Sequence, residues 1–218
     1  AIVNNVWRRG ERVWDTNSFF QGSFVKEVND QFKTQVNAKY AFYRTHYVNN
    51  DDKLIEVDNL YKQREVYVST ANMYTIFPFW DVSMSYDFQW NEMKADMYGF
   101  VFPTRFTNLL SIATALRLGK VKLQGSGLAT FVNDRVKEGP APKARQILTP
   151  AVFLSYKPFD KHDFSLRAFY KKTFRMPTFN DLYYADMGNS KLDPEYVTQY
   201  NLGTVYQKQW GNLSLIHI

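Results

Sequence analysis

Residues 80–91 alternate without a break. Trp80, Val82, Met84, Tyr86, Phe88 and Trp90 are apolar, and the residues between them, Asp81, Ser83, Ser85, Asp87, Gln89 and Asn91, are polar. Strict period-two alternation of this length specifies a strand with one apolar and one wet face. A helix would spread both sets around its circumference. The pattern returns in Phe164, Leu166, Ala168 and Tyr170 against Ser165, Arg167 and Lys171, with Phe169 as an exception. It returns again in Phe32, Val36, Ala38, Tyr40 and Phe42 against Lys33, Gln35, Asn37 and Lys39, and in Tyr200, Leu202 and Tyr206 against Gln199, Asn201 and Gln207. Residues 104–118 and 143–157 carry apolar side chains on both faces, and 62–77 is mixed.

The connections between these strands alternate in length. Short turns are expected at 29–31, at Pro78, at 119–120, at 158–162 and at 211–212, and long loops at 49–61, 94–103, 133–142 and 175–195. Gly, Pro, Asn and Asp supply the turn geometry at most of them. Such a rhythm places all short turns at one end of an up-and-down sheet and all long loops at the other. A soluble sandwich with Greek-key crossings has no reason to sort its loops this way. Trp80 and Trp90 lie ~33 Å apart along a strand at ~3.3 Å per residue, or ~23 Å of height at a tilt of ~45°, close to the ~25 Å apolar band of an outer-membrane barrel. Their rings suit the aromatic girdles at the two lipid–water interfaces. The expected fold is therefore all-β: a partial up-and-down antiparallel transmembrane β-barrel of about ten strands.

Composition agrees with a sheet between lipid and water. Aromatic residues make up 17% of the chain, yet only 45% is hydrophobic and the mean hydropathy is −0.42. No run approaches the ~18 continuous apolar residues of a membrane helix. The net charge of +6 is dispersed, with no block of like charges of the kind that binds nucleic acid, and no nucleic-acid partner is expected. The absence of cysteine excludes disulfides and thiolate metal sites.

One segment goes beyond architecture. Phe174-Arg175-Met176-Pro177 leads through Asn180 to Leu182-Tyr183-Tyr184, then Gly188-Asn189, Leu192, Pro194-Glu195 and a strand opening into Leu202-Gly203. In order and spacing this resembles the signature of the later barrel of TonB-dependent outer-membrane receptors, over about thirty residues. The resemblance implies a 22-stranded barrel around an N-terminal plug, localisation in the bacterial outer membrane, and uptake of a scarce ligand energised by TonB through the plug. It implies outer-membrane lipid as a further partner. Residues 1–212 then read as barrel without plug or signal peptide. The run 213–218 resembles the translation of a sequencing-library adapter, so it is expected to be non-native, at the edge of a truncated reading frame. Within the motif, Pro177 ends a strand, Gly188-Asn189 permits a tight turn, and Pro194-Glu195 fixes the start of the next strand. Arg175 is expected in a loop salt bridge, with a ligand anion as the alternative.

Chemistry is sparse. His46, His162 and His217 are scattered, and there is no zinc-protease helix motif, phosphate loop or nucleophile elbow. No catalytic residue, metal centre or cofactor is expected, and the chain reads as a non-enzyme. Asn49, Asn50, Asp51 and Asp52 with Glu56 and Asp58 lack calcium-loop spacing and read as a solvated acidic loop. On the wet faces, Lys33, Lys39, Arg105, Arg117, Lys122, Arg167 and Lys171 outnumber Glu27, Asp81, Asp87 and Asp163, which favours anionic ligands. Candidate ligand contacts are Arg175, Tyr183, Tyr184, Arg135, Arg167 and Lys171. Haem receptors of the resembled family carry an iron-coordinating His between two boxes; the stretch between Pro177 and Asn189 has none, leaving Tyr183, Tyr184 and Met187 as the candidate axial ligands there. An iron chelate of the siderophore kind brings its own coordination shell and is the expected ligand. A passive porin and, further off, a soluble carbohydrate-binding β-domain are the alternatives.

Overall fold

The computed structural model describes residues 11–49, 56–139, 141–183, 189, 191–210 and 213–217. Ten strands follow one another: β1 (Glu11–Asn29), β2 (Phe32–Asn49), β3 (Val57–Phe77), β4 (Trp80–Ala95), β5 (Thr104–Leu118), β6 (Val121–Arg135), β7 (Arg145–Tyr156), β8 (Asp163–Arg175), β9 (Glu195–Trp210) and β10 (Leu213–His217), with a short helix α1 (Phe179–Tyr183) between β8 and β9. They form one antiparallel sheet in strict chain order, with β1 and β10 at its edges. Every strand pairs with its sequence neighbours, as an up-and-down barrel wall requires, and the described strands leave the sheet open. Strands β2, β3 and β4 have 18, 21 and 16 residues, well beyond the usual five or six.

Register carries the alternation from strand to strand. Met84 stands opposite Ile112, which stands opposite Gly127, and Tyr86 opposite Leu110, which stands opposite Ala129. On that face the large apolar side chains are open: Phe20, Phe24, Val68, Met84, Ile112, Leu148 and Leu202 are all exposed. The other face holds the buried polar groups, among them Ser69, Asn91, Arg105, Thr130 and Asp134. Packing is thus inverted relative to a water-soluble sheet. An exposed apolar surface of this extent marks a contact with something apolar. Polar tips on the apolar face bond within the sheet: Trp80 Nε1 donates to Thr114 Oγ1 at 2.8 Å, Tyr86 OH to Asn108 at 2.7 Å and Thr34 Oγ1 to Asn72 at 2.8 Å.

The short turns fall where the sequence places them. Asn29 Oδ1 accepts from the backbone N–H groups of Gln31 and Phe32 at 2.9 and 2.8 Å, an Asx turn. Gly119 takes a φ of 56°, which a side chain rarely adopts. The turn expected at 211–212 lies outside the described residues. The β2–β3 connection is shorter than expected, because both strands run on, β2 to Asn49 and β3 from Val57. The 213–217 run pairs with β9. Phe169, the exception to alternation, meets Phe153 of β7 on the polar face with ring centroids 5.5 Å apart. This ring contact accounts for Phe153, one of the apolar residues that β7 carries on its polar face.

Candidate functional site

Segment 176–183 does not extend away from the sheet. It folds back over the polar face and packs on β3, β4, β5 and β6 near the long-loop end. Arg105 of β5 anchors it. Its guanidinium donates twice to Asp134 of β6, each bond 2.7 Å, and once to the carbonyl of Pro177, also 2.7 Å. It also stacks over the ring of Phe179, 5.1 Å from the centroid. Both charged side chains are largely buried, 11% and 4% exposed. A planar fork matched to a carboxylate, with a third donor spent on a backbone carbonyl, is an arrangement only Arg can supply.

Apolar contacts complete the seat. Phe179 joins Tyr61, Met93, Ala95 and Phe100 in the buried core cluster, with Tyr183 against it. Helix α1 is closed at its start by a reciprocal capping box: Thr178 N–H donates to Asp181 Oδ2 at 2.8 Å, and Asp181 N–H to Thr178 Oγ1 at 3.2 Å. Those bonds to Thr178, with Arg175 nearby, hold the Asp181 carboxyl below the usual range. Burial, with the Asp134 charge second, pushes the Tyr183 phenol up to about 12. Its hydroxyl is buried without a hydrogen-bond partner among the described residues. Tyr183 is therefore a neutral phenol throughout the physiological range, with its oxygen enclosed by the fold. Because its folded pKa lies above the unfolded value, the contribution of its burial to stability is fully present below pH ~10 and is lost as pH rises towards about 12.

Beside this strap lies a cavity of about 630 Å³, lined by amides and hydroxyls including Gln63, Gln89, Asn91, Thr107 and Thr130, by Phe174 near the end of β8, and by Met176 and Phe179 of the strap. Its charged members are internally neutralised: Glu65 holds Lys39 at 2.9 Å, and Arg105 holds Asp134.

The expected ligand contacts scatter around this geometry. Arg175 is exposed and reaches Asp181 at 3.4 Å and Glu195 at 4.0 Å, the loop salt bridge expected of it. Tyr183 ends the strap itself and packs against the buried core cluster. Arg167 and Lys171 of β8 stand on the polar face, with Lys122 of β6, and none of the three has an acidic partner among the described residues. Arg135 stands on the apolar face instead, with its guanidinium over the Phe106 ring at 5.2 Å; β6 turns alternate residues inward, and Asp134, not Arg135, has the inward parity. Tyr184 and Gly188 lie outside the described residues, as do Asp51 and Asp52 of the acidic loop. Asp58 of that loop contacts His46 at 2.6 Å. Among the described residues, no three His, Cys, Asp or Glu side chains gather as a metal site. In the rest of the motif, Asn189 Oδ1 caps Lys191 N–H at 3.0 Å, Pro194 precedes β9, and Arg145 pairs with Asp193.

Basic residues on the polar face are mostly paired. Lys33 with Glu27, Arg117 with Asp81 and Lys157 with Asp163 lie at 3.0, 2.7 and 2.8 Å. The free cationic character concentrates at Lys122, Arg167 and Lys171, around the Phe153–Phe169 pair.

A family model described as "TonB dependent receptor-like, beta-barrel" matches residues 2–216. The chain belongs to the TonB-dependent receptor family. Solved structures share its fold at low identity. The copper transporter OprC superposes with a TM-score of 0.77 at 15% identity, covering 93% of this chain and 38% of that one. The FrpB iron transporter from Neisseria meningitidis gives 0.70 at 12%, covering 89% and 34%. The ferric citrate transporter FecA gives 0.65 at 13%, covering 92% and 33%. The chain thus spans little more than a third of these receptors. No curated protein matches it by sequence. In this TonB-dependent receptor barrel, the first part of the motif that carries the family resemblance forms the strap seated on Arg105.

Proposed function

We propose that the chain is part of the barrel wall of a bacterial outer-membrane receptor that imports a chelated iron ligand of the siderophore kind, driven by TonB through a plug encoded outside residues 1–212. Residues 213–218 are, on this reading, adapter-encoded. Family membership separates this reading from a passive porin and from a soluble carbohydrate-binding domain. The observation that carries the ligand class is the polar face itself: Lys122, Arg167 and Lys171, without acidic partners among the described residues, around an aromatic pair, and a separate cavity of about 630 Å³ beside the strap. A chelate asks the wall for charge and aromatic contact, and this wall offers both without a metal-ligating set among the described residues. Two of the solved relatives are a ferric citrate transporter and a ferric preacinetobactin receptor, which agrees with that class.

The test is growth of a deletion strain on defined iron sources, with the full-length receptor restored in cells with and without TonB. Siderophore-bound iron is expected to support growth only with both present. Loss of haem use alone, with siderophore use intact, would overturn the ligand assignment; restored growth without TonB would overturn the energised mechanism.

A further inference from the structure

The cavity beside the strap and the basic groove lie at opposite ends of the polar face. Asn91, Thr107 and Thr130 belong to the long-loop halves of β4, β5 and β6, whereas Lys122, Arg167 and the Phe153–Phe169 pair line a groove beside the 119–120 turn. The two share no lining residue. The strap cavity also presents no free charge. Its charged liners are Glu65 and Arg105, and both are held by partners within the sheet, Lys39 and Asp134. An anion entering there meets no cation left to pair with it.

Hydrogen bonding is what this cavity offers. Register sets Asn91 between Glu65 and Arg105, and Gln89 between Tyr67 and Thr107. The side chains of Gln63, Gln89, Asn91 and Thr107 make no hydrogen bond to another described residue. Asn91 is only 8% exposed and Thr130 only 2%, and the Thr130 hydroxyl is buried without a hydrogen-bond partner among the described residues. Buried polar groups in native structures are hydrogen-bonded in nearly all cases. Three free amides and two free hydroxyls around one cavity are therefore half of a hydrogen-bonded set.

Their chemistry describes the other half. A carboxamide donates through nitrogen and accepts through oxygen, and a hydroxyl does both through one atom. The matching ligand carries many donors and acceptors and no net charge. Phe174 of β8 and Met176 and Phe179 of the strap add apolar surface to the same cavity. Hydroxyls around the edge with C–H groups on the faces are the make-up of a pyranose ring. The volume of about 630 Å³ falls within the ~300–1,000 Å³ of small-molecule sites.

We propose that the cavity beside the strap binds an uncharged, hydroxyl-rich sugar ring, with Gln63, Gln89 and Asn91 as its hydrogen-bonding amides. This rests on the reading of the chain as a receptor wall whose polar face lines the lumen, and it adds to the basic groove a second site that does not depend on charge. The ring arrives either as a free oligosaccharide or as a sugar attached to the chelate.

The experiment titrates the full-length receptor in detergent micelles by calorimetry with three probes: maltotriose, a ferric tris-catecholate chelate, and the same chelate bearing glucosyl groups. A sugar carried on the chelate shows as at least tenfold tighter binding of the glucosylated form, and a free sugar as saturable binding of maltotriose. Gln89→Leu and Asn91→Leu should each weaken the sugar-bearing probe roughly five- to tenfold, one hydrogen bond apiece. Asn91→Leu should also keep the parent's unfolding midpoint or raise it, since it removes a buried amide that has no partner; an amide with a structural task would lower it. Should the variants fail to fold, the parent's ranking of the three probes decides alone. A glucosylated chelate that binds no tighter than the plain one, with maltotriose unbound, would overturn the sugar site while leaving the iron reading standing. Sugar-probe affinities unchanged in both variants would overturn it too. Binding of maltotriose with neither chelate bound would keep the sugar site and overturn the iron chelate as ligand, and silence from all three probes would refute both.

Discussion

Arg105→Leu is expected to cost the full-length receptor about 3–5 kcal/mol of unfolding free energy, the penalty for leaving a buried charge without its partner. Asp134 would remain nearly inaccessible with both carboxylate oxygens unbonded, and the Pro177 carbonyl would lose its donor. The double variant Arg105→Leu/Asp134→Leu should recover part of that loss, because the orphaned charge is gone while the strap still lacks its polar anchor. Urea unfolding from lipid vesicles measures both, and limited proteolysis across 176–183 reports whether the strap has lifted. A single variant that loses less than ~1 kcal/mol, the range of an exposed pair, with the strap still protected, would show that the apolar seat around Phe179 holds the segment by itself.

Met84→Arg tests the opposite face. Met84 is half exposed midway between the two tryptophans, opposite Ile112, where an arginine in lipid costs ~2–4 kcal/mol. Ser85→Arg, one residue on, points towards the polar face beside Ser111 and should cost much less. Refolding titrations of the two variants into vesicles should separate them clearly. Equal losses would mean that the faces are assigned the wrong way round.

Architecture was the legible part of this sequence, because a strand's period is two and a barrel wall needs little else: alternation in 80–91, the turn residues and the sorted loop lengths were enough to reach ten strands in chain order. Long-range seating was not. Arg105 and Asp134 lie 29 residues apart and Pro177 another 43 on, and no local pattern ties them together. A signal was present all the same. Past Asn91, the polar parity of β4 passes to Met93 and Ala95 and that of β3 to Tyr61, so the wet face turns apolar where the strap lands. Thr178 and Asp181, three apart before Leu182, likewise spell a capping box that marks α1. Arg135, inside the expected 133–142 loop, offered no parity to read: β6 runs through it, and the strand's alternation sends it outward.

Sidedness carries the whole account, since the strap-roofed cavity can meet a ligand from outside only if the long loops face the medium. The direct test is labelling of single cysteines in intact cells with a membrane-impermeant maleimide. Gly139 and Gly119 are poor sites, as their φ angles of 80° and 56° strain any side chain. Glu138 in the β6–β7 loop and Lys161 in the β7–β8 turn are exposed alternatives. Cysteine at 138 should label in whole cells, and cysteine at 161 only after the outer membrane is opened. Labelling of 161 with protection of 138 would invert the barrel and contradict the account.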